Sequence, residues 1–345
     1  MSSIVTPATH QQYMQRALNL AQLGQGRVSP NPMVGCVIVH EGTIIGEGYH
    51  QQYGKAHAEV NAIEAVKNKS LIKHSSIYVS LEPCSHFGKT PPCADLLIAH
   101  QPKKVFVCNP DPNPLVAGKG MTKLKAAGID VEMGLLSERG LALNKRFFTF
   151  IEKKRPYIVL KWAQTTDGFM APNNQQPLAI SGALAKRYVH KWRGQEAAIM
   201  VGTNTAKFDN PQLNLRVWQG NNPVRVLLDK DLSLDASLFA FDSQQPSIRY
   251  NLLEDSENGL NKKIKLPDLL PQTILQNLYL QNIQSVLIEG GAALLNSFIE
   301  ANLWDEARFL TAPMLLNQGL KAPTLSAELI STHKIESDFL AIYER

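Results

Sequence analysis

Three side chains in the first hundred residues have the types to hold a zinc ion, and a fourth stands near them as an acid. They lie in "HAEVNAIEA", His57 to Ala65, and in "LEPCSHFGKTPPCADLL", Leu81 to Leu97. A catalytic zinc keeps a coordination position open for water, whereas a structural zinc closes its shell with four protein ligands. His57, Cys84 and Cys93 supply three. Two thiolates and a neutral imidazole balance the ion's charge, yet bound water can still ionise near pH 7, which gives hydroxide at neutral pH. Cys93 follows Pro91 and Pro92 at the expected start of a helix, where the helix dipole favours thiolate. Glu59, two residues after His57, is placed to carry a proton from that water to a leaving amine. His-x-Glu followed by Pro-Cys and a second Cys is the pattern of zinc deaminases, with one zinc per chain. Their cysteines are separated by two residues and these by eight, so the spacing fits a longer variant. A structural zinc site is the alternative, with His86, Cys36 or His50 as fourth ligand. Cys36 and Cys108 fall in apolar strand runs and read as core thiols.

The second half carries a fainter signal. It has no Gly-x-Gly-x-x-Gly fingerprint, so a dinucleotide would bind by other means. "VLIEGGAALLNSF" runs from an expected strand through Gly290 and Gly291 into an expected helix, where backbone amides could meet a pyrophosphate. Taken alone, such a pair of glycines is often only a turn.

These residues need a scaffold that brings them together. The 345 residues exceed one ordinary core and favour two domains, read as 1–150 and 151–345. All four cysteines and seven of the nine histidines precede residue 109, and all four tryptophans follow residue 160, so the two parts do different work. Residues 1–150 hold 15 Lys and Arg against 10 Asp and Glu, and the remainder holds 20 of each, so the excess of +5 lies in the first part. That mild basicity suits a phosphorylated small molecule and argues for no nucleic acid. No run approaches the ~18 apolar residues of a membrane helix and the N-terminus has no signal pattern, so a cytoplasmic chain without membrane contact is expected.

The first part predicts helices over Gln12–Leu23, from near His57, from about Ala94 and over Gly120–Ala127. Strands are expected at "VGCVIV", into "GEGYH", and at "SIYVSL", "KVFVCN" and "IDVEM". "LNKRFFTFIEKKRP", ending at Pro156, reads as the joint. Beyond it come strands at "YIVLKWAQ", "AAIMVG", "PVRVLLD", "SVLIEG" and near "EARFLTAP", with helices over Ala183–Trp192 and between Ala292 and Ala301. Alternating strands and helices imply α/β domains with at least partly parallel sheets. The polar, weakly periodic stretch from Phe241 to Pro271 reads as irregular.

Beyond these signals, "NPMVGCVIV", "GEGYH", "HAEVNAI", "LEPCSHFGKTPPC" and "NPDPNPLVAGKG" resemble the deaminase domain of the bifunctional riboflavin-biosynthesis deaminase/reductase family, commonly called RibD. The resemblance implies a cytidine-deaminase-like fold with zinc on His57, Cys84 and Cys93 and Glu59 as proton shuttle. It implies hydrolytic deamination of 2,5-diamino-6-(5-phosphoribosylamino)pyrimidin-4-one. It also places Asn31, His50, Lys89, Asp111 and Asn113 near the bound pyrimidine ribotide. Asn, Asp and His suit a polar heterocycle and its sugar, and a lysine suits a phosphate. Asn31 and Asp111 each precede a proline, where such side chains also cap turns.

"LKWAQTTDG", "VHKWRGQEAAIMVGTNTAKFDNPQLNLR" and "IEGGAALLNSF" are similar to the reductase domain of the same family. This implies a dihydrofolate-reductase-like fold that uses NADPH to reduce the ribosyl group to ribityl. The implied cofactor contacts are Ala163, Thr205, Asp209, Gly290 and Gly291, and the implied substrate contacts are Lys161, Arg193, Leu213, Arg216 and Glu289. Arg193 and Arg216 suit phosphate by their fork geometry. The sequence departs from the family at "PLAIS", Pro177 to Ser181, where Ala179 stands in place of the usual tryptophan. The resemblance also implies self-association through the reductase domain. The remaining alternatives are a nucleobase or tRNA deaminase with an accessory nucleotide-binding domain, and a structural zinc module in a regulator without turnover.

Overall fold

The computed structural model describes residues 7–87, 91–114, 117–173, 176 and 178–345. The chain divides into two compact units, Met1–Lys153 and Lys154–Arg345. Among the described residues no helix is long and apolar enough to cross a membrane.

The first unit runs α1 (Pro7–Gln22), β1 (Gly35–His40), β2 (Thr43–Tyr49), α2 (Ala58–Ala65), β3 (Ser76–Val79), α3 (Cys93–His100), β4 (Lys104–Val107), α4 (Lys119–Ala126), β5 (Asp130–Met133), α5 (Ser137–Leu143) and α6 (Lys145–Lys153). Its five-stranded sheet has the order β2-β1-β3-β4-β5. β1 is antiparallel to β2 and β3, while β3, β4 and β5 are parallel. The sheet is covered on both faces, which explains why β1 reads as an unbroken apolar run rather than an alternating one. Cys36 and Ile38 face Ala58, Ala62, Leu97 and Leu124, whereas Val37 and Val39 pack with Met14, Ala17 and Leu18 of α1. Two glycines let the helices lie directly on the strands. A Cβ on Gly35 would come within 2.0 Å of the Ala17 carbonyl oxygen, and one on Gly48 within 2.3 Å of the Ala62 nitrogen. Most of the segment expected to be the joint is helix α6, which buries Phe147 and Phe148 beside Leu81.

The second unit runs β6 (Tyr157–Thr165), β7 (Phe169–Ala171), α7 (Ala183–Arg193), β8 (Ala198–Val201), α8 (Thr203–Asp209), β9 (Val224–Leu228), β10 (Ser247–Asn251), β11 (Ser256–Asn258) and β12 (Asn261–Lys265). It continues with α9 (Pro271–Leu280), β13 (Ser285–Glu289), α10 (Ala292–Glu300), β14 (Glu306–Ala312), β15 (Leu320–Lys321), β16 (Glu328–Ile335) and β17 (Asp338–Glu344). Ten strands form one sheet in the order β11-β12-β10-β9-β8-β13-β6-β14-β17-β16. The strands from β12 to β14 are parallel and the flanking ones antiparallel. α9 and α10 cover one face through Ile274, Leu278, Leu295 and Phe298. α7 covers part of the other through Ala185, Val189 and Trp192.

The stretch from Phe241 to Pro271 is not irregular. It contains β10, all five residues of which are buried between β9 and β12. Its polar letters disguised it, because each polar group is satisfied locally. Arg249 is paired with Asp229, and the Asn251 side chain donates to the Glu254 carbonyl at 3.0 Å while accepting the Leu253 and Glu254 N–H groups at 2.8 Å each.

Candidate functional site

In the first unit, His57 immediately precedes α2, Cys84 lies in the loop after β3 and Cys93 opens α3. Their ligating atoms all lie within 4.8 Å of one another. The His57 Nδ1 faces both sulfurs, at 3.3 Å from Cys93 and 3.6 Å from Cys84. The loop is folded back on itself: the Cys93 N–H donates to the Cys84 Sγ at 3.3 Å, and the Ala94 N–H to the Cys84 carbonyl at 3.0 Å. Contact with Cys93 draws the Cys84 thiol well down, while the same contact and burial push Cys93 up. A bound divalent cation would hold both sulfurs as thiolates, with release of their protons. The donor set therefore fits zinc. Among the described residues this is the one metal-competent group of three or more, and none of His86, Cys36 or His50 joins it.

Glu59 follows on the first turn of α2 and is buried. Burial pushes its carboxyl up, the Cys84 charge adding to the effect, so it is a carboxyl that can hold a proton. The His50 Nδ1 donates to the Ala56 carbonyl at 3.0 Å, and its Nε2 accepts from the Asn31 Nδ2 at 3.1 Å. Burial holds its pKa down, so the ring is neutral, and it packs edge-on to the His57 ring at 5.3 Å between centroids. Asn31, His50, His57 and Glu59 are thus neighbours in space as well as in the expected site. Asp111 and Asn113 form a turn in which the Asn113 N–H donates to the Asp111 Oδ1 at 2.8 Å. Burial pushes the Asp111 carboxyl up to about 6. Lys89 lies outside the described residues. Cys36 and Cys108 are buried in the core and their thiols are pushed up, as core thiols should be.

In the second unit, parallel pairing sets Glu289 of β13 directly opposite Lys161 of β6. Arg193, the last residue of α7, reaches down to this pair. Its Nε and Nη2 donate to the two Glu289 oxygens at 2.7 and 2.8 Å, and Lys161 Nζ stands 3.8 Å from Oε2. Arg193 Nη1 also donates to the Asn214 carbonyl at 3.3 Å, and Arg216 Nη1 to the Asn214 Oδ1 at 3.1 Å. Asn214 thereby links both arginines of the expected substrate set. The Leu213 side chain is buried in the core beside Ile199, Val201 and Leu227, which leaves its backbone as the part able to meet a ligand.

β6, β8 and β13 are adjacent and parallel, so their carboxyl ends share one edge of the sheet. Ala163 lies near that end of β6, Gly290 and Gly291 follow β13, and Thr205 is on α8, which follows β8. Gly290 and Gly291 have φ of +90° and +73°, where glycine is favoured. A Cβ on Gly291 would sit 3.2 Å from the Thr205 Oγ1, so the turn and Thr205 lie against each other. Crevices at the carboxyl ends of parallel strands are where α/β sheets take nucleotides. Asp209 ends α8 and is exposed. Ala179 is exposed in the loop before α7.

Sequence reasoning missed His190, Glu82, Arg225 and Gln245. His190 is buried one turn before Arg193 and is held down to about 4 by burial and by Arg193 and Arg216. Arg225 and Gln245 hold the loop that carries Leu213: the Arg225 Nε donates to the Gln212 carbonyl at 3.0 Å and the Gln245 Nε2 to the Leu213 carbonyl at 3.1 Å. A charged residue inside the apolar strand "PVRVLLD" was the available signal for Arg225.

Residues 7–109 match the cytidine and deoxycytidylate deaminase zinc-binding region, and residues 156–337 match the RibD C-terminal domain. The chain is similar to the riboflavin biosynthesis protein RibD of Actinobacillus pleuropneumoniae, at 40% identity over 90% of this chain and 85% of that protein. It is also 39% identical to RibD of Aquifex aeolicus (strain VF5), over 92% of this chain and 91% of that one. Among solved structures it resembles the diaminohydroxyphosphoribosylaminopyrimidine deaminase/5-amino-6-(5-phosphoribosylamino)uracil reductase of Thermotoga maritima. That likeness has a TM-score of 0.91 at 35% identity, over 98% of this chain and 99% of that one. With a cytidine-deaminase-like first unit, a RibD-type second unit and matches that span nearly its whole length, the chain belongs to the RibD family of bifunctional deaminase/reductases of riboflavin biosynthesis.

Proposed function

We propose that the chain first deaminates 2,5-diamino-6-(5-phosphoribosylamino)pyrimidin-4-one and then reduces the ribosyl group of the resulting 5-amino-6-(5-phosphoribosylamino)uracil to ribityl with NADPH. Residues 1–150 form the deaminase and 151–345 the reductase, a division supported by the compact units meeting at Lys153 and Lys154. The observation that carries the reading is the convergence of His57, Cys84 and Cys93 with the buried acid Glu59 two residues from the imidazole.

His57, Cys84 and Cys93 would hold one zinc per chain, which when bound supplies a Lewis acid able to activate water near neutral pH. Glu59 takes a proton on its raised carboxyl and returns it to the departing amine, the pKa suiting a group that must do both. Asn31 and His50 face the heterocycle as a hydrogen-bonded pair, and Asp111 and Asn113 face the sugar side, with Lys89 for the phosphate.

In the reductase, NADPH supplies hydride when bound. Ala163, Thr205, Asp209, Gly290 and Gly291 border its site, and the backbone of the glycine turn meets the pyrophosphate. Lys161, Arg193, Leu213, Arg216 and Glu289 take the substrate. One carboxylate among two close cations leaves the cluster net positive and receptive to the substrate phosphate. No acid or base stands out among these residues for the hydride step, so positioning of the nicotinamide against the sugar carbon supplies most of it; as hydride reaches that carbon its bond to the ring oxygen breaks, and the oxygen takes its proton from solvent. The enzyme works in the cytoplasm, where its four cysteines, none of them in a disulfide, stay reduced. It takes no nucleic acid and self-associates through the reductase unit, whose edge strand β16 exposes Leu329 and Ile330.

Mass spectrometry of products from the zinc-loaded protein and the diaminopyrimidine ribotide tests the reading. A deaminated product without NADPH, and the ribityl product only with it, is expected. No product in either case would refute it.

A further inference from the structure

Glu82 sits between the apolar end of β3 and the ligand loop, two residues before Cys84, and is 4% exposed. Its Oε2 accepts the N–H groups of Asp111 at 3.3 Å and Gly118 at 3.0 Å. Its Oε1 accepts those of Gly120 at 3.0 Å and Met121 at 3.3 Å. The Glu82 N–H in turn donates to the Asn109 carbonyl at 3.0 Å. One side chain therefore gathers two separate pieces of chain: the turn that carries Asp111 and Asn113, and the first turn of α4.

The chemistry asks for a carboxylate at this position. The N–H groups in the first turn of a helix have no partner within the helix, and that end attracts negative charge. Each oxygen of Glu82 accepts two N–H groups, which an ionised carboxylate can do and a glutamine cannot. The amide of a glutamine would aim its own hydrogens at two of the four donors. Packing enforces the same arrangement, because Gly120 lies so close to the Pro83 carbonyl oxygen that a Cβ there would come within 2.1 Å. The start of α4 is thus seated on the two residues that lead into Cys84.

We propose that Glu82 is a positioning residue of the deaminase site, fixing the Asp111–Asn113 turn relative to the Cys84 ligand loop. The proposal rests on the reading that Asp111 and Asn113 meet the pyrimidine ribotide.

The test uses the full-length, zinc-loaded protein and three single variants, Glu82→Gln, Gly120→Ala and Asp111→Ala. Zinc content, deaminase KM and kcat for the diaminopyrimidine ribotide, and reductase turnover of the same samples are read together. Glu82→Gln is expected to keep zinc and full reductase turnover, while its deaminase KM rises about tenfold to a hundredfold, the scale of a site displaced by about 1 Å. Loss of zinc from Glu82→Gln would overturn the proposal in favour of plain support of the metal loop, and so would an unchanged KM. If Glu82→Gln does not fold, Gly120→Ala decides, since it lifts α4 off Pro83 while leaving the carboxylate in place. A raised KM with zinc retained supports the proposal, and an unchanged KM overturns it. Asp111→Ala separates the two layers of the argument: an unchanged KM in that variant refutes the substrate role of the turn itself, whatever Glu82 does.

Discussion

Arg193 forks both carboxylate oxygens of Glu289, although 96 residues separate them in the chain, and Lys161 faces the same carboxylate from the neighbouring strand. Burial alone would push the Glu289 carboxyl up. The charges of Arg193 and Lys161 outweigh it and bring the group down to about 2. Glu289→Gln would leave two buried cations facing an uncharged amide. The expected cost is about 3 kcal/mol or more, typical of breaking a buried ion pair from one side. Urea unfolding of the second unit measures it, and reductase turnover should fall with it while deamination persists.

Acid sensitivity of the second unit should have two separate windows. His190 titrates near 6.5 in the unfolded chain and at about 4 when folded, so its contribution is complete above about pH 6.5 and is lost as the pH falls toward 4. The loss is on the order of 3 kcal/mol. Glu289 acts the other way in charge but the same way in pH, its stabilisation present above 4.5 and lost only as the pH falls through about 2. Denaturation followed from pH 7 to 4.5 should therefore show a slope that His190→Gln flattens and that wild-type Glu289 does not produce.

Metal binding and proton transfer should come apart in the first unit. Cys84→Ser or Cys93→Ser is expected to lose zinc and deamination together, as removal of one of three ligands should. Glu59→Gln should keep zinc and lose ammonia release by at least about a hundredfold, the scale of general acid and base catalysis. Elemental analysis beside an ammonia assay checks both, and a Glu59 variant with normal turnover would remove its assigned role.

Gly291→Ala probes the turn after β13. The backbone there has φ of +73° and the new Cβ would meet the Thr205 Oγ1 at 3.2 Å. A cost of about 1–2 kcal/mol is expected from the strained backbone. NADPH titration by fluorescence should show about tenfold weaker binding, with zinc content and deaminase turnover unchanged.

Arg225 is fully buried, bonded to Asp242 at 2.5 Å and to the Gln212 carbonyl at 3.0 Å. Arg225→Met should lower the stability of the second unit by about 3 kcal/mol, since it leaves a carboxylate and a carbonyl without their donor. Because the loop it holds continues through Leu213 to Asn214, the reductase KM should rise several-fold. Steady-state kinetics of both activities on one sample would show whether the deaminase is spared.

The sequence by itself determined what depends on neighbours in the chain. Short apolar runs such as "GCVIV" marked strands, and the paired prolines before Cys93 marked a helix start. Residue types were enough to nominate His57, Cys84, Cys93 and Glu59, because zinc chemistry restricts the ligands so narrowly. Tertiary structure decided everything that depends on pairing across distance. β10 was hidden because its arginine meets its carboxylate, Asp229, only in the folded sheet, and because its asparagine is taken up by the turn that follows it. Nothing in the sequence marked Glu82, because the four backbone N–H groups around it are placed there only by the fold. Arg193 could be an exposed helix residue until parallel register put Glu289 beside Lys161 beneath it. Hydrophobic pattern is a property of a segment, whereas satisfaction of a buried charge is a property of the segments that meet, and no single stretch of sequence contains it.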